Sequence, residues 1–277
     1  MSPFSTGPLR SALFVPGSRP ERYSKALAAG ADCVIVDFED AVEEHHKVQA
    51  RHNLKKFLLE NQDVRVVVRI NAPGHVEQEA DIRFCSAHPA VAAIVLPKTE
   101  SAAQVQALAT TGKPVWPLIE TARGLLALPE IAASAGVERL TFGALDLAVD
   151  LGLREAGEGM EKVFDQVRYS LLVHSVGRAL APPLDTVFAD IGNTEGLASA
   201  AINARDMGFG GLLCIHPTQV DTVHQIFQPS ADEIEWARRV MEAARSGEGA
   251  IRLEGKLIDA PVIKKARRLL QSLRQAD

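Results

Sequence analysis

The sequence predicts an α/β protein, a (β/α)8 TIM barrel followed by a C-terminal helical lid segment. Eight short apolar runs recur along the chain, and each is followed by a helix-like stretch. Most of these runs are continuous rather than alternating, which is typical of parallel strands buried on both faces. The length of 277 residues also suits one barrel of this type. An open doubly wound sheet would show the same alternation and remains an alternative at this point.

The eight predicted strands follow one another as far as Ile215. They are Ser11–Pro16, Cys33–Phe38, Val64–Ile70, Val91–Pro97, Pro114–Ile119, Arg139–Phe142, Thr186–Asp190 and Leu212–Ile215. Residues that favour helix ends mark the segments between them. Pro20 begins one helix and Gly30 ends it, Ser101 begins another, and Thr194 caps a third.

The alternation of strand and helix stops near Ser230. We therefore predict a catalytic barrel over residues 1–229 and a lid or oligomerisation segment over residues 230–277. Ser230-Ala231-Asp232-Glu233 has the spacing of a capping box. Beyond a helix break at Gly247–Gly249, the run Ile251–Ile258 predicts a hairpin that turns at Glu254-Gly255, and a final helix begins near Pro261.

Composition excludes several classes of protein. The net charge of -5 argues against nucleic acid as a main partner. Three cysteines without close spacing predict neither a disulfide framework nor a zinc cluster. No apolar run approaches the ~18 residues that span a bilayer, and the N-terminus lacks the pattern of a secretory signal, so we expect a cytoplasmic protein.

Charged side chains follow the predicted strands, where functional residues of such barrels lie. Two carboxylates, Glu120 and Asp146, end consecutive strands, and no histidine stands beside them. Such a pair suits a hard cation such as Mg²⁺. The other strand-end candidates add positive charge for an anionic substrate, or further acidic and polar groups: Arg19, Asp37, Glu39, Asp40, Arg69, Asn71, Lys98, Asp190 and His216.

Each of these residues also has a purely structural explanation. Glu120 could lie in the first turn of the following helix, and Asp146 could be an N-cap. Arg69 could form a structural ion pair with the acidic cluster that follows the second strand. His216 is more simply a locally hydrogen-bonded residue, and Asp259 is more simply the cap of the last helix.

Seven short stretches, taken in chain order, carry a family resemblance. They are Arg10–Pro20, Asp37–Val42, Val68–Asn71, Leu96–Lys98, Leu118–Thr121, Phe142–Leu147 and Cys214–Pro217. Together they resemble the citrate lyase β-subunit family, within the HpcH/HpaI aldolase superfamily that includes malyl-CoA lyases. The resemblance extends from Arg10 to about Ala266. It implies a (β/α)8 barrel that assembles into homotrimers or hexamers.

The resemblance assigns roles to residues of the barrel. It implies that Glu120 and Asp146 hold Mg²⁺, and that Arg69 contacts the reacting carbonyl of a coenzyme A thioester. Phe14 and Arg19 would lie near the coenzyme A chain, so the implied cofactor-contacting residues are Phe14, Arg19, Arg69 and Glu120. The acidic residues after the second strand, Asp37, Glu39 and Asp40, would support the metal site.

The C-terminal segment adds a candidate acid–base. Gly255-Lys256-Leu257-Ile258-Asp259 matches a Gly-x-x-x-Asp stretch that, in malyl-CoA-lyase-like members, reaches over a neighbouring subunit's active site. The aspartate of that stretch is the acid–base of those enzymes, which makes Asp259 the corresponding candidate. The implied catalytic residues are therefore Arg69, Asp259, Glu39 and Asp40.

The activity implied is reversible cleavage of a 3-hydroxyacyl-CoA into acetyl-CoA and a 2-oxo acid. Citramalyl-CoA, giving pyruvate, is the first expectation, and malyl-CoA, giving glyoxylate, is the second. Leu145 stands where many relatives carry glutamate and Phe38 where leucine is commoner, and Leu145 could alter substrate choice. Three alternatives stay open: a citrate lyase β subunit acting on an acyl carrier protein thioester, a free 2-oxo-acid aldolase with His216 as base, and a non-catalytic barrel.

Overall fold

A computed structural model describes residues 9–154, 157–246, 251–253 and 256–274. It divides the chain into two compact units, one from Leu9 to Phe227 and one that begins at Gln228. The predicted helix break at Gly247–Gly249 and the predicted turn at Glu254-Gly255 lie outside the described residues.

Eight parallel strands of the first unit close into a barrel in sequence order, which confirms the predicted (β/α)8 fold. The first and last strands pair with Ser11 opposite Leu212. The strands are β1 (Ser11–Pro16), β2 (Cys33–Asp37), β3 (Val66–Arg69), β4 (Val91–Leu96), β5 (Val115–Ile119), β6 (Thr141–Phe142), β7 (Leu184–Asp185) and β8 (Gly211–Cys214).

Helices surround this barrel and bury the outward-facing side chains of the strands. Alternate strand residues such as Ile35 and Val67 form an interior cluster with Trp116. Their neighbours Val34 and Val68 pack in a separate cluster that includes helix residues. The helices are α1 (Tyr23–Leu27), α2 (Lys47–Glu60), α3 (Gln78–Ala87), α4 (Ala102–Gln106), α5 (Ala122–Leu126), α6 (Leu128–Ala133), α7 (Ala144–Asp150), α8 (Glu158–Gly177), α9 (Thr194–Asp206) and α10 (Thr218–Phe227).

The seventh strand lies earlier than predicted. It covers Leu184–Asp185, and the predicted run Thr186–Asp190 forms the loop that follows it. The apolar residues of that run pack on the strand clusters from the loop, so their hydrophobic character does not mark a strand. Asp185, which is buried, therefore ends the strand, and Asp190 is an exposed loop residue.

One predicted cap is displaced by a residue. The N-cap of α9 is Asn193, whose side chain accepts a hydrogen bond from the Gly196 N–H at 2.8 Å, and Thr194 is the first helical residue. Pro20 begins a short 3-10 turn that precedes α1, and α1 ends at Leu27, before the predicted end at Gly30. The prediction at Ser101 is confirmed. Ser101 begins α4 with a capping box that includes Gln104, and this pairing satisfies donors that the helix itself leaves free.

The second unit contains two helices and a hairpin. They are α11 (Ala231–Ala243), the antiparallel strands β9 (Ile251–Leu253) and β10 (Lys256–Ile258), and α12 (Ala260–Arg274). Ser230 and Glu233 form the predicted capping box at the start of α11. A small buried cluster holds the unit together and consists of Ala237, Val240, Ile258 and Ala266. Within the described ranges, no helix has the length and apolarity that a bilayer crossing requires.

Two glycines give a direct test of how the barrel closes. A Cβ on Gly211, in β8, would lie inside van der Waals distance of the Arg10 and Leu9 carbonyl oxygens, whereas a Cβ on Gly177, at the end of α8, would meet nothing within 4 Å. Gly211→Ala is therefore expected to destabilise the protein by at least about 1–3 kcal/mol through overpacking. Gly177→Ala is expected to be neutral or to stabilise it by about 0.5–1 kcal/mol. Thermal melts of both variants check this, and equal melting temperatures would contradict it.

Candidate functional site

Glu120 and Asp146, the two predicted metal ligands, line one cavity of about 190 Å³. Glu120 directly follows β5, and Asp146 lies in the helix that follows β6, so both belong to the carboxyl ends of neighbouring strands. Arg69 and Phe14 line the same cavity. Asp37 and Leu145 line it as well, so the structure brings together six of the residues that the sequence singled out.

The Glu120 side chain is almost completely buried, and the backbones of Lys98 and Gly143 lie against it. Its Oε1 accepts a hydrogen bond from the Lys98 backbone N–H at 2.7 Å. Its Oε2 lies beside Gly143, where an added Cβ would come within 2.5 Å of that oxygen. The helix α5 begins after Glu120, with Thr121 as its N-cap, so Glu120 is not a first-turn helix residue.

Asp146 is the third residue of α7, whose N-cap is Gly143. The alternative that Asp146 is an N-cap therefore does not hold. Its side chain is partly buried, and no described residue donates a hydrogen bond to its carboxylate. Its oxygens are consequently available for a ligand in the cavity.

The surroundings of Glu120 disfavour an isolated negative charge. The pKa of this carboxyl group is raised to about 8, chiefly by burial and also by the charges of Glu39 and Asp146, against the lowering effects of the Lys98 N–H and the Lys98 charge. A buried carboxylate beside other carboxylates is stabilised in its ionised form by a cation. This is the electrostatic environment expected of a cation-binding pair.

Arg69 is held in place by a bidentate ion pair with Asp37. Its Nε and Nη2 donate to the two Asp37 carboxylate oxygens at 2.7 and 2.6 Å. The Glu39 and Ala41 N–H groups donate to the same carboxylate, each at 2.9 Å. Burial alone would raise the pKa of Asp37, but the charge of Arg69 holds it below its ordinary value. The structural pairing that the sequence allowed is therefore present, and the guanidinium still lines the cavity.

Lys98 connects Arg69 with Glu120, one of the two predicted metal ligands, a role that sequence reasoning missed. Its Nζ lies 2.6 Å from Glu39 Oε1 and 3.6 Å from Asp40 Oδ2, while Arg69 Nη1 lies 3.0 Å from Glu39 and 3.8 Å from Asp40. Two cations and two carboxylates thus form a closed ring. The only sequence signal was its position at a strand end, in Leu96-Pro97-Lys98.

Other predicted residues lie away from the cavity or have local partners. Arg19 is exposed and does not line the cavity. Asn71 is buried and donates its side-chain N–H to Asp81 at 2.6 Å, which is a structural contact. His216 bonds through Nδ1 with Thr218 Oγ1 at 2.8 Å, as the local explanation anticipated.

Asp259 belongs to the second unit, where it caps α12. Its Oδ1 accepts a hydrogen bond from the Val262 N–H at 3.2 Å. The predicted cap is therefore present, and Gly255 of the matching stretch lies outside the described residues. Asp259 has one further carboxylate oxygen, Oδ2, that this cap does not use.

A second, larger cavity of about 620 Å³ lies beside the first. Its lining includes residues of α7, α8 and α9. Ala144, Leu145, Thr186 and Val187 line both cavities. Leu145, which the sequence marked for a role in substrate choice, is therefore a wall residue shared by the two.

The chain is similar to known proteins over nearly its whole length. The model of the HpcH/HpaI aldolase/citrate lyase family matches residues 10–217. A citrate lyase subunit beta-like protein of Mycobacterium tuberculosis is 41% identical over 269 residues, which cover 95% of each chain. A (3S)-malyl-CoA thioesterase of Cereibacter sphaeroides is 34% identical over 272 residues, which cover 95% of this chain and 94% of the relative. The crystal structure of the M. tuberculosis protein CitE in complex with magnesium, acetoacetate and coenzyme A has a TM-score of 0.85 and 39% identity, and the match covers 98% of each chain.

Proposed function

Because this chain belongs to the HpcH/HpaI aldolase/citrate lyase family, we propose that it is a Mg²⁺-dependent lyase that cleaves a 3-hydroxyacyl-CoA reversibly into acetyl-CoA and a 2-oxo acid. The observation that carries the proposal is the shared cavity of Glu120, Asp146 and Arg69. It combines a carboxylate pair for a cation with a guanidinium for the carbonyl oxygen of a thioester.

Mg²⁺ fits this carboxylate pair. Both side chains offer hard oxygen donors, and in the part of the chain that the structure describes no group of three or more histidine, cysteine or acidic residues forms a competing metal cluster. Mg²⁺ is commonly bound by one or two carboxylates while substrate oxygens and water complete its shell. When bound, it would polarise the substrate oxygen that becomes the keto group.

Arg69 is suited to stabilise the negative charge that develops on the acetyl thioester fragment. Cleavage breaks the bond between the hydroxyl-bearing carbon and the carbon next to the thioester, and the electron pair passes to the acetyl thioester as an enolate. A guanidinium already fixed by Asp37 and Glu39 can stabilise that enolate oxygen without reorganising. Glu39 and Asp40 act through Arg69 and Lys98, whose charged side chains they hold in place.

Asp259 would supply the proton that completes the reaction. In the cleavage direction the substrate hydroxyl gives up its proton to water as the keto group forms, and Asp259 protonates the enolate carbon. In the condensing direction Asp259 removes a proton from acetyl-CoA. The family resemblance supports this role, together with a homotrimer or hexamer in which the lid crosses to a neighbouring subunit. We also propose that Phe14 and Arg19 bind the coenzyme A chain and that the enzyme acts in the cytoplasm.

A panel of acyl-CoA substrates tests the proposed reaction. Purified protein with Mg²⁺ is expected to release acetyl-CoA and pyruvate from (S)-citramalyl-CoA, or acetyl-CoA and glyoxylate from malyl-CoA. Methylmalyl-CoA and citryl-CoA complete the panel, and EDTA is expected to stop the reaction. Cleavage of methylmalyl-CoA would give propionyl-CoA in place of acetyl-CoA, and failure to cleave all four substrates would overturn the proposal.

The similarity to a (3S)-malyl-CoA thioesterase supports a second candidate, hydrolysis of the thioester. The two reactions differ in their products, since hydrolysis gives free coenzyme A and the intact hydroxy acid. Chromatography of the same assays distinguishes them. A citrate lyase β subunit, the third candidate, would instead require an acyl carrier protein thioester and partner subunits for activity.

Proton release should accompany metal binding. Because the pKa of Glu120 is about 8, this carboxyl group is mostly protonated at neutral pH, and the cation must displace that proton. The apparent affinity for Mg²⁺ is therefore expected to weaken by about tenfold per unit as the pH falls below about 8. Calorimetric titrations in buffers with different ionisation enthalpies measure both the affinity and the proton. An affinity that stays constant between about pH 6.5 and 9 would contradict this assignment.

A further inference from the structure

Lys98 has a backbone conformation that its side chain does not favour. Its φ angle is 47°, and among the described residues only one other non-glycine residue, Ala179, has a positive φ. The left-handed region is unfavourable for residues with a Cβ and is worst for β-branched ones. Such a conformation persists where surrounding contacts hold it, and it is concentrated at functional sites.

With this backbone conformation, the Lys98 N–H points toward Glu120 rather than into the sheet. The pairing of β4 with β5 ends at Leu96 and Pro117. The Thr99 N–H then donates a hydrogen bond to the Leu118 carbonyl oxygen at 3.2 Å. Between these two points the Lys98 N–H donates to Glu120 Oε1 at 2.7 Å.

The hydrogen bond distinguishes the two oxygens of Glu120. Oε1 is engaged by the Lys98 N–H, whereas Oε2 lies beside Gly143, the N-cap of the helix that carries Asp146. Oε2 is therefore the oxygen on the side of the second carboxylate. The lysine ammonium is directed elsewhere, to Glu39 and Asp40.

We propose that Lys98 is a positioning residue of the metal site, and that its left-handed backbone, rather than its charge, fixes the oxygen that Glu120 presents to a cation. The inference rests on the proposed function, in which Glu120 and Asp146 share Mg²⁺. The ammonium is not needed for this task, because a positive charge near the site repels a cation. Backbone and side chain of Lys98 therefore have opposite effects on metal affinity.

Two substitutions separate these effects. Lys98→Gly keeps the positive φ without cost and removes the ammonium, so its affinity for Mg²⁺ should equal that of the wild type or exceed it severalfold. Lys98→Val disfavours the positive φ and is expected to turn the N–H away, which should weaken the affinity at least tenfold. Lys98→Thr replaces the valine variant if that variant does not fold. Calorimetric titration of the substrate-free wild type and both variants with Mg²⁺ at one common pH measures these affinities.

Ala179 provides the matched control, since it has a φ of 55° and does not line the cavity. Ala179→Val is expected to lower the melting temperature without changing the dissociation constant for Mg²⁺. If the glycine and valine variants at position 98 have equal affinities for Mg²⁺, whether unchanged or equally weakened, the inference is overturned. A wild-type protein that binds no cation would instead overturn the proposed metal site and, with it, this role of Lys98.

Discussion

Replacing Glu120 by glutamine is expected to remove Mg²⁺-dependent turnover almost completely while the barrel stays folded. Glutamine has the same shape and retains an oxygen that can accept a hydrogen bond from the Lys98 N–H. In the wild type this N–H lies 2.7 Å from the carboxylate oxygen Oε1. It lacks the negative charge that a hard cation requires. The loss is therefore expected in metal affinity, measured by titration, and not in the structure, measured by circular dichroism.

Although Glu120→Gln is expected to abolish turnover, it should increase the stability of the metal-free protein at high pH. The pKa of Glu120 is raised from its ordinary value of 4.5 to about 8, so the stability that protonation contributes is present at low pH and is lost as the pH rises between these values. Near pH 9 the ionised, buried carboxylate weakens the fold. Glu120→Gln should then melt at a higher temperature than the metal-free wild type, and only the wild type should gain stability on addition of Mg²⁺.

Glu130→Gln is the control for these experiments, because Glu130 is an exposed residue of α6. It should change neither metal affinity nor the pH dependence of stability. A Glu120→Gln variant that keeps wild-type affinity for Mg²⁺ would exclude Glu120 as a ligand.

Replacing Asp259 by asparagine is expected to reduce turnover by about 10²–10⁴-fold, the usual contribution of an acid–base group. Asparagine caps helices as well as aspartate does, so the Val262 N–H keeps its acceptor. Asparagine cannot exchange the proton that the enolate carbon needs. Stability and Mg²⁺ affinity should therefore stay close to those of the wild type while kcat falls.

Asp259→Ala separates the two roles further. It removes the cap as well as the carboxylate, which should cost an additional ~1 kcal/mol of stability. Ser230→Ala removes a cap from α11 in the same unit and should lower stability without a comparable fall in kcat. Full turnover in Asp259→Asn would mean that Asp259 caps α12 and is not the acid–base.

Much of the barrel could be predicted because parallel strands that are buried on both faces have continuous apolar sequences. The same rule failed at Thr186–Asp190, where Val187 and Phe188 pack from a loop and give an apolar run without a strand. Pro182 and Pro183, which lack an N–H for the ladder, precede the real strand, Leu184–Asp185. Hydrophobicity reports burial, and burial alone does not distinguish a strand from a packed loop.

The candidate site could be predicted where side-chain chemistry follows a strand, since Glu120, Asp146 and Arg69 line one cavity. It was not predictable where the backbone acts, because neither the positive φ of Lys98 nor the direction of its N–H follows from the residue type. Local pattern also gave Asp259 only as a cap, which the structure confirms. The proposal that Asp259 is the acid–base depends on the family resemblance.

We propose that Glu120 and Asp146 hold one cation between them, and titration of substrate-free protein with Mn²⁺ tests this most directly. Electron paramagnetic resonance counts the bound ion in the wild type, in Glu120→Gln and in Asp146→Asn. We expect one Mn²⁺ per wild-type chain, displaced by Mg²⁺, and severe loss of binding in each single variant. Wild-type affinity in either variant would contradict the claim.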